Sequence, residues 1–242
     1  MSSPPKIPVP QEQEVTSVRM VLTMAVIGLL AGFLIVFTYR TTLPIIEKKR
    51  QAYLERAIFE VLPGATNKKV FEVTPDGNLN PGDNRHSKLP KIYAGYDDAG
   101  KLVGVALEAR GQGFQDVIRL IYGYNPYQQA IIGMKVLESK ETPGLGSKIE
   151  TDADFLANFK SLEVKLTSNG KIEHPIEMVK KGKKSHNWQI EAITGATISS
   201  RAITNILRKS TANALPIIMK NLKLLETSGH KASQTEVQQK AR

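Results

Sequence analysis

From Met20 to Tyr39 the chain reads MVLTMAVIGLLAGFLIVFTY, twenty positions without a charge, bracketed by Arg19 and Arg40. At 1.5 Å per residue a helix of that length spans roughly 30 Å, the thickness of the hydrocarbon layer of a bilayer. A buried core helix usually carries polar positions, and here only Thr23 and Thr38 are polar. The apolar region of a signal peptide usually covers about 7–15 residues and ends at a small-residue cleavage site. The present run is longer and shows no such site. The pattern predicts a retained single-pass anchor in the lipid bilayer. Residues 1–19 hold four prolines in their first ten positions and few apolar residues, the composition of a flexible tail.

Beyond the anchor the period changes. Ile45, Ile46, Tyr53, Leu54, Ile58, Phe59 and Leu62 recur at helical spacing, which predicts a helix over 45–61 that Pro63-Gly64 closes. Residues 65–90 are rich in Asn, Asp, Gly and Pro and read mainly as loop. KIYAGYD at 91–97 and KLVGVALEA at 101–109 flank a DDAG turn, the pattern of a β-hairpin. VIRLIYGY at 117–124 and AIIGMKVLES at 130–139 form a second pair, and DFLANFKSL at 154–162 a short helix. SLEVKLT and KIEHPIEMV around Asn169-Gly170 predict a third hairpin. From Ile198 to about Leu225 the apolar positions 198, 202, 203, 206 and 207 favour a helix, with Pro216 starting or kinking a second segment. The sum is an α+β domain of antiparallel strands and flanking helices. The expected divisions are a tail (1–19), a transmembrane helix (20–39), a linker helix (40–64), the domain (65–225) and a C-terminal tail (226–242).

Composition narrows the chemistry. The 242 residues contain no Cys, which excludes disulfides, thiolate-held iron–sulfur clusters, cysteine-ligated zinc and a thiol nucleophile. The four histidines, His86, His174, His186 and His230, show no metal-ligand spacing. With 33 Lys plus Arg against 23 Asp plus Glu, the formal charge of +10 suits nucleic-acid binding and membrane-surface proteins alike. KKGKKSHNW at 180–188, lysines followed by Trp188, is the segment on which a single-strand-binding reading would rest. GQG at 111–113 lacks the continuation of a dinucleotide glycine loop and is set aside.

Two motifs carry chemistry. In ETPGLGSKIE (141–150), Pro143 fixes one backbone angle beside Gly144 and Gly146, which admit conformations or close approaches barred to other residues. This is either an ordinary tight turn or a ligand loop, with Glu141 and Lys148 pairing or holding a polar group. In IEAITGATISSRA (190–202), Thr194, Thr197, Ser199 and Ser200 crowd hydroxyls around Gly195-Ala196 just before a helical pattern. Such a segment is either a helix cap or a phosphate site, since free amides and the helix dipole favour anions.

TPGLG followed about fifty residues later by TGAT and a helix, on an anchored domain, resembles the FMN-binding domain of the G subunit of the Rnf electron transport complex. The C subunit of the sodium-translocating NADH:quinone reductase shares that domain. The resemblance covers roughly residues 20–225. It implies FMN held covalently by a phosphoester to the last Thr of TGAT, Thr197, installed by a flavin transferase. Thr194, Gly195 and Ala196 would surround the phosphate, with Ser199 and Ser200 as neighbouring hydroxyls. Glu141, Thr142, Pro143, Gly144, Leu145 and Gly146 would shape the flavin's environment. Family members often carry Asp three residues before the motif, where this chain has Glu191.

The implied role is an electron relay among other membrane and peripheral subunits, within ferredoxin-to-NAD⁺ electron transfer coupled to ion movement. It involves no nucleic acid and no catalytic residue of the chain's own. The alternatives are the homologous quinone-reductase subunit and a basic, non-redox binding module. The resemblance places the domain on the outer, periplasmic side of the cytoplasmic membrane. The local charges, Lys6 and Arg19 before the span against Arg40, Lys48, Lys49, Arg50 and Arg56 after it, vote for the opposite orientation.

Overall fold

The computed structural model describes residues 17–82, 87 and 89–229. The expected tail over 1–16, the end of the chain from 230 on, and His86 and His230 lie outside the described residues. The chain divides at Gln51/Ala52 into two compact units.

In the first unit the described residues are all helical. Helix α1 (Ser17–Val61) runs without interruption through Pro44, where the sequence pattern predicts a break between span and linker. Proline costs one backbone bond, which a 45-residue helix absorbs while the turns on either side stay paired. Thr41 and Thr42 also give their hydroxyls to carbonyls of the preceding turn, at 2.8–3.2 Å. Among the described residues this is the one helix long and apolar enough to cross a membrane, and its apolar window is wholly exposed in the protein.

The second unit is built on an antiparallel sheet of β1 (Asn67–Val73), β2 (Leu79–Pro81), β3 (Lys91–Tyr96), β4 (Leu102–Gln112), β5 (Val117–Asn125), β6 (Ala130–Glu138) and β7 (Leu162–Glu163). The strand order is β2-β1-β3-β4-β5-β6-β7. The two central hairpins lie where the alternation puts them. Residues 65–90, loop-like in composition, nevertheless supply β1 and β2; β1 pairs with β3 and buries Phe71. Its polar NKKVFEV sequence hides a strand because Lys68, Lys69 and Glu72 are half-buried among its apolar residues and Phe71 alone is fully buried. The hairpin expected at Asn169-Gly170 shrinks to a tight turn and a single bridge, Leu166↔Ile172. Its flanks go elsewhere: β7 pairs with β6, while β8 (Glu177–Val179) runs parallel to β9 (Gln189–Glu191). The intervening run is polar, and Pro175 offers no amide to a ladder.

The sheet is covered on both faces, in a period of two that bulges interrupt between β3 and β4 and between β5 and β6. Ile92, Ala94, Val105, Leu107, Leu120 and Tyr122 face α3 (Thr197–Lys220), the short helix α2 (Ala153–Ala157) and the adjoining 3-10 turns. Tyr93, Ala106 and Ile121 face the end of α1, with Ala57, Ile58, Val61 and Leu62. Pro216 sits inside α3 rather than dividing it, and buried Leu215 and Ile218 hold the helix to the core on either side. Helical backbone resumes over 222–229, beyond the expected start of the frayed end, and the Tyr96 hydroxyl donates to Leu225 O at 2.7 Å. Burial pushes the Tyr124 phenol up to about 12.

The close seat of Val61-Leu62 depends on glycine. Four neighbouring strands place Gly95, Gly104, Gly123 and Gly133 beneath it. A Cβ on Gly95 would stand 2.7 Å from the Leu62 side chain, one on Gly133 2.8 Å from Val61 Cα, and one on Gly123 would collide with the Val61 carbonyl. Gly123→Ala is therefore expected to destabilise the unit by roughly 1–3 kcal/mol, the usual cost of overpacking. Thermal unfolding of the detergent-purified chain checks this, with Gly82→Ala, where a Cβ would meet nothing within 4 Å, as the comparison for a purely conformational cost.

Candidate functional site

Three segments converge at the N-terminal end of α3: the β4–β5 turn around Gly113, the TPGLG turn after β6, and the TGAT turn. Glu141 joins them. Its side chain is 5% exposed. Oε1 accepts the amides of Phe114 (2.8 Å) and Gln115 (3.1 Å), and Oε2 accepts the hydroxyl of Ser199 on the first turn of α3. A carboxylate satisfied by three donors can sit in a low-dielectric place without an ionic partner. Gln115 adds a bond from Nε2 to Thr142 Oγ1 at 3.1 Å. Two glycines make room: a Cβ on Gly113 would lie 2.5 Å from Oε1, and one on Gly146 2.6 Å from Oε2.

The TPGLG segment is a tight turn with internal bonds. Thr142 O accepts the amides of Leu145 and Ser147, each at 3.2 Å, and the Gly144 amide, with φ +76°, donates to Ser147 Oγ at 3.0 Å. Pro143, Gly144 and Leu145 are exposed at its tip, whereas Gly146 is buried against Glu141. Glu141 turns inward, and the pairing with Lys148 that the sequence leaves open is not made. The TGAT turn is closed by Ala196 N donating to Ile193 O (3.0 Å), with Gly195 at φ +84°. Ser200, fully buried, accepts the Ile193 amide (3.1 Å) and donates to Ala196 O (2.9 Å), which pins the turn to the helix. The hydroxyl protons of Ser199 and Ser200 are thus both committed inside the protein.

What remains outward is Thr194 and Thr197. Both are exposed, and neither hydroxyl has a hydrogen-bond partner among the described residues. The residue capping α3 is Ala196, which supplies no side-chain acceptor, so the helix-cap reading of the motif fails. The first-turn amides of a 24-residue helix are left beside the Thr197 hydroxyl, an arrangement that favours an anionic substituent. Each of the three segments also presents an exposed apolar side chain: Phe114 at 60%, Leu145 at 54% and Ile198 at 55%. Phe114 and Gln115 carry no mark in the sequence that singles them out. Their signal, a glycine pair ending a strand, is too common to point to a site without the Glu141 contact.

Next to Thr194 lies a hollow of about 110 Å³, lined in part by Lys148, Asp154, Lys181 and Glu191. It is too small for a three-ring aromatic group. The Lys181 ammonium, 2.8 Å from Asp154, holds that carboxyl below its ordinary range. Glu191 Oε1 accepts the amides of Gly182 (3.1 Å) and Lys184 (3.3 Å), while Asn158 Oδ1 accepts the Glu191 amide (3.1 Å). The lysine-rich loop is therefore folded onto this side of the site. Trp188 does not lie open: His174 and His186 stack on it at ring-centroid distances of 4.1 and 4.2 Å. With imidazoles against both faces, the indole offers no platform to a base, and the nucleic-acid reading loses its main support.

The FMN-binding domain family matches residues 113–212, which span from the β4–β5 turn to the middle of α3. The G subunit of the ion-translocating oxidoreductase complex of Methanosarcina acetivorans is 32% identical over 201 residues, covering 82% of this chain and 93% of that one. The chain belongs to this G-subunit family. The fold is shared more widely. NqrC of Shewanella oneidensis superposes with a TM-score of 0.55 at 19% identity, covering 75% of this chain and 99% of its own. The C subunit of the Na⁺-translocating NADH-quinone reductase of Parabacteroides distasonis gives 0.57 at 18%, covering 72% and 95%. Within this G-subunit chain, Glu141 and Gly146 of the first motif meet Ser199 on the first turn of α3.

Glu141→Ala would strand two amides and the Ser199 hydroxyl, an expected loss of about 1–3 kcal/mol. Glu141→Gln should recover most of it, because a carbonyl oxygen can still accept both amides. Denaturant unfolding of the two variants, with limited proteolysis at 113–116 and 142–147, checks the ranking.

Proposed function

We propose that this chain is the flavin-carrying subunit of an Rnf-type, ion-translocating electron transport complex, with FMN joined to Thr197 Oγ1 by a phosphoester. Membership in the G-subunit family and the FMN-binding domain support a membrane-anchored flavoprotein subunit. The assignment of Thr197 rests on one observation: its hydroxyl is exposed and unbonded at the uncapped first turn of α3. Bound there, FMN would supply reversible one- and two-electron redox chemistry.

The residues fit such a group. First-turn amides and the helix dipole hold the phosphate charge; Gly195 keeps the approach to Thr197 free of a side chain; Phe114, Leu145 and Ile198 offer apolar surface to a ring system. The TPGLG backbone and Thr142 supply polar groups at the same edge. Thr194 stands open beside the attachment point for recognition by a flavin transferase, and Glu191 lines the same small hollow as Thr194. Residues 20–39 serve as the span and 65–225 as the flavin domain, on the periplasmic side of the cytoplasmic membrane. Other subunits of the complex deliver and remove electrons, since this chain has no cysteine to hold a cluster. The identity shared with the G subunit favours this reading over the quinone-reductase C subunit, to which the likeness is one of fold.

Mass spectrometry of the chain coexpressed with a flavin transferase should find one esterified FMN on the peptide containing Thr197, with flavin fluorescence surviving denaturing electrophoresis. Thr197→Ala should abolish both signals; fluorescence retained in that variant overturns the attachment site. The orientation has its own measurement. A cysteine introduced at exposed Lys183 of this cysteine-free chain should react with a membrane-impermeant maleimide in intact spheroplasts.

A further inference from the structure

From Ser17 to Leu54 the one carboxylate is Glu47, set beyond the span among Arg40, Lys48, Lys49 and Arg50. All of these side chains are exposed on α1. Arg40, Lys48 and Lys49 have no hydrogen-bond or ion-pair partner among the described residues. Several lysines of the second unit contrast with them, since Lys68, Lys135, Lys140, Lys165 and Lys181 each pair with a carboxylate. The apolar run ends at Tyr39, an exposed aromatic ring of the kind that favours the water–lipid boundary. At 1.5 Å per residue, Arg40 stands at the edge of the hydrocarbon, and Lys48 and Lys49 stand roughly 13–15 Å beyond Tyr39. The headgroup layer takes up about 5–8 Å of that height. Flexible lysine stems and a Debye length of about 8–10 Å cover the rest. Because α1 is unbroken through Pro44, the height of both lysines over the span is fixed. At about 100° per residue, the three cations spread over roughly half the circumference of the helix.

We propose that Arg40, Lys48 and Lys49 form a belt that binds the headgroups of anionic phospholipids, so that the chain gathers acidic lipid around the end of its span. Charge complementarity selects the occupant. A guanidinium or ammonium without a carboxylate of its own is matched by a phosphate, and the bilayer crossed by the span presents phosphates at this height on every side of the helix. Zwitterionic lipid offers the same phosphate but cancels its charge with an ammonium, so a net attraction requires an acidic headgroup. An acidic protein surface is the competing occupant, but at Arg40 it would have to displace lipid from within the bilayer. Glu47 offsets only part of the positive charge of residues 40–50. The inference rests on the membrane span of the proposed function and requires neither the flavin nor the other subunits. It holds in either orientation of the chain, because headgroup phosphates line both leaflets.

The chain has no cysteine, so Gln51→Cys supplies a single exposed thiol just past the belt for a donor dye. The full-length protein is reconstituted in phosphatidylcholine vesicles that carry a trace of acyl-labelled acceptor lipid, either phosphatidylglycerol or phosphatidylcholine. Energy transfer then reports which lipid gathers at the helix. Phosphatidylglycerol should be favoured about fivefold or more, and sodium chloride should weaken that preference. Lys48→Gln/Lys49→Gln should lower it by about fivefold, whereas Lys48→Arg/Lys49→Arg should keep it. Lys180→Gln/Lys183→Gln removes the same charge from an exposed loop of the second unit and should also leave the preference intact. Equal transfer from the two lipids, an undiminished preference in the Lys48→Gln/Lys49→Gln protein, or an equal loss in the loop variant would each overturn the proposal. So would competition by inorganic phosphate beyond that of chloride at equal ionic strength, the mark of a free-anion site. Loss of the preference in the assembled complex would give the belt to an acidic protein partner and overturn the proposal as well. Release of the chain from membranes by alkaline carbonate would remove the span and the belt together, whereas the other failures leave the span standing.

Discussion

The buried carboxylate of Glu141 is the interaction on which the candidate site depends. It sits where three turns meet and bonds to two of the segments beyond its own. By accepting two amides from the β4–β5 turn and a hydroxyl from α3, it ties the end of a sheet to the start of a helix. Glycines at 113 and 146 are required because the carboxylate oxygens occupy the space of a Cβ. The consequence is a division of labour among neighbouring residues. Glu141, Ser199 and Ser200 look inward and build the frame; Thr194, Thr197, Leu145 and Phe114 look outward and are free to meet a ligand.

A second constraint carries this frame. The sheet is sandwiched between α3 and the last turns of α1, and the α1 side fits only because four strands present glycine beneath Val61 and Leu62. Backbone packed directly on backbone leaves little latitude for sliding. The hairpin ends that bear the β4–β5 turn and the segment after β6 are thereby held at a fixed spacing from α3.

Much of this architecture is legible along the chain. The span, the two central hairpins and the long helix after TGAT follow from period and length, the features least sensitive to context. The departures share one cause. β1 looks like loop because Asn67, Lys68, Lys69 and Glu72 make up most of it and a single fully buried residue, Phe71, leaves no alternation to notice. The turn at Asn169-Gly170 exists, but its flanking segments find better partners in β6 and β9, a competition that local propensity does not record. Pro216 reads as a break, yet it lies within α3 between buried Leu215 and Ile218, where burial outweighs a lost backbone bond.

For the site, the order of residues alone tells which of them belong together, through two motifs about fifty positions apart, and composition excludes thiol and cluster chemistry. It does not assign tasks within the motifs. Ser199, Ser200, Thr194 and Thr197 are four hydroxyls in seven residues, chemically alike and equally able to cap a helix or carry a group. Only the packing of α3 against the sheet turns two of them into the core and leaves two in solvent. The same holds for Glu141, for which Lys148 is an equally good partner on paper, and for the Gly113 turn, which has no mark of its own. Direction and burial are properties of the assembled fold, because they depend on what lies across a strand or over a helix and not on what is adjacent in the chain.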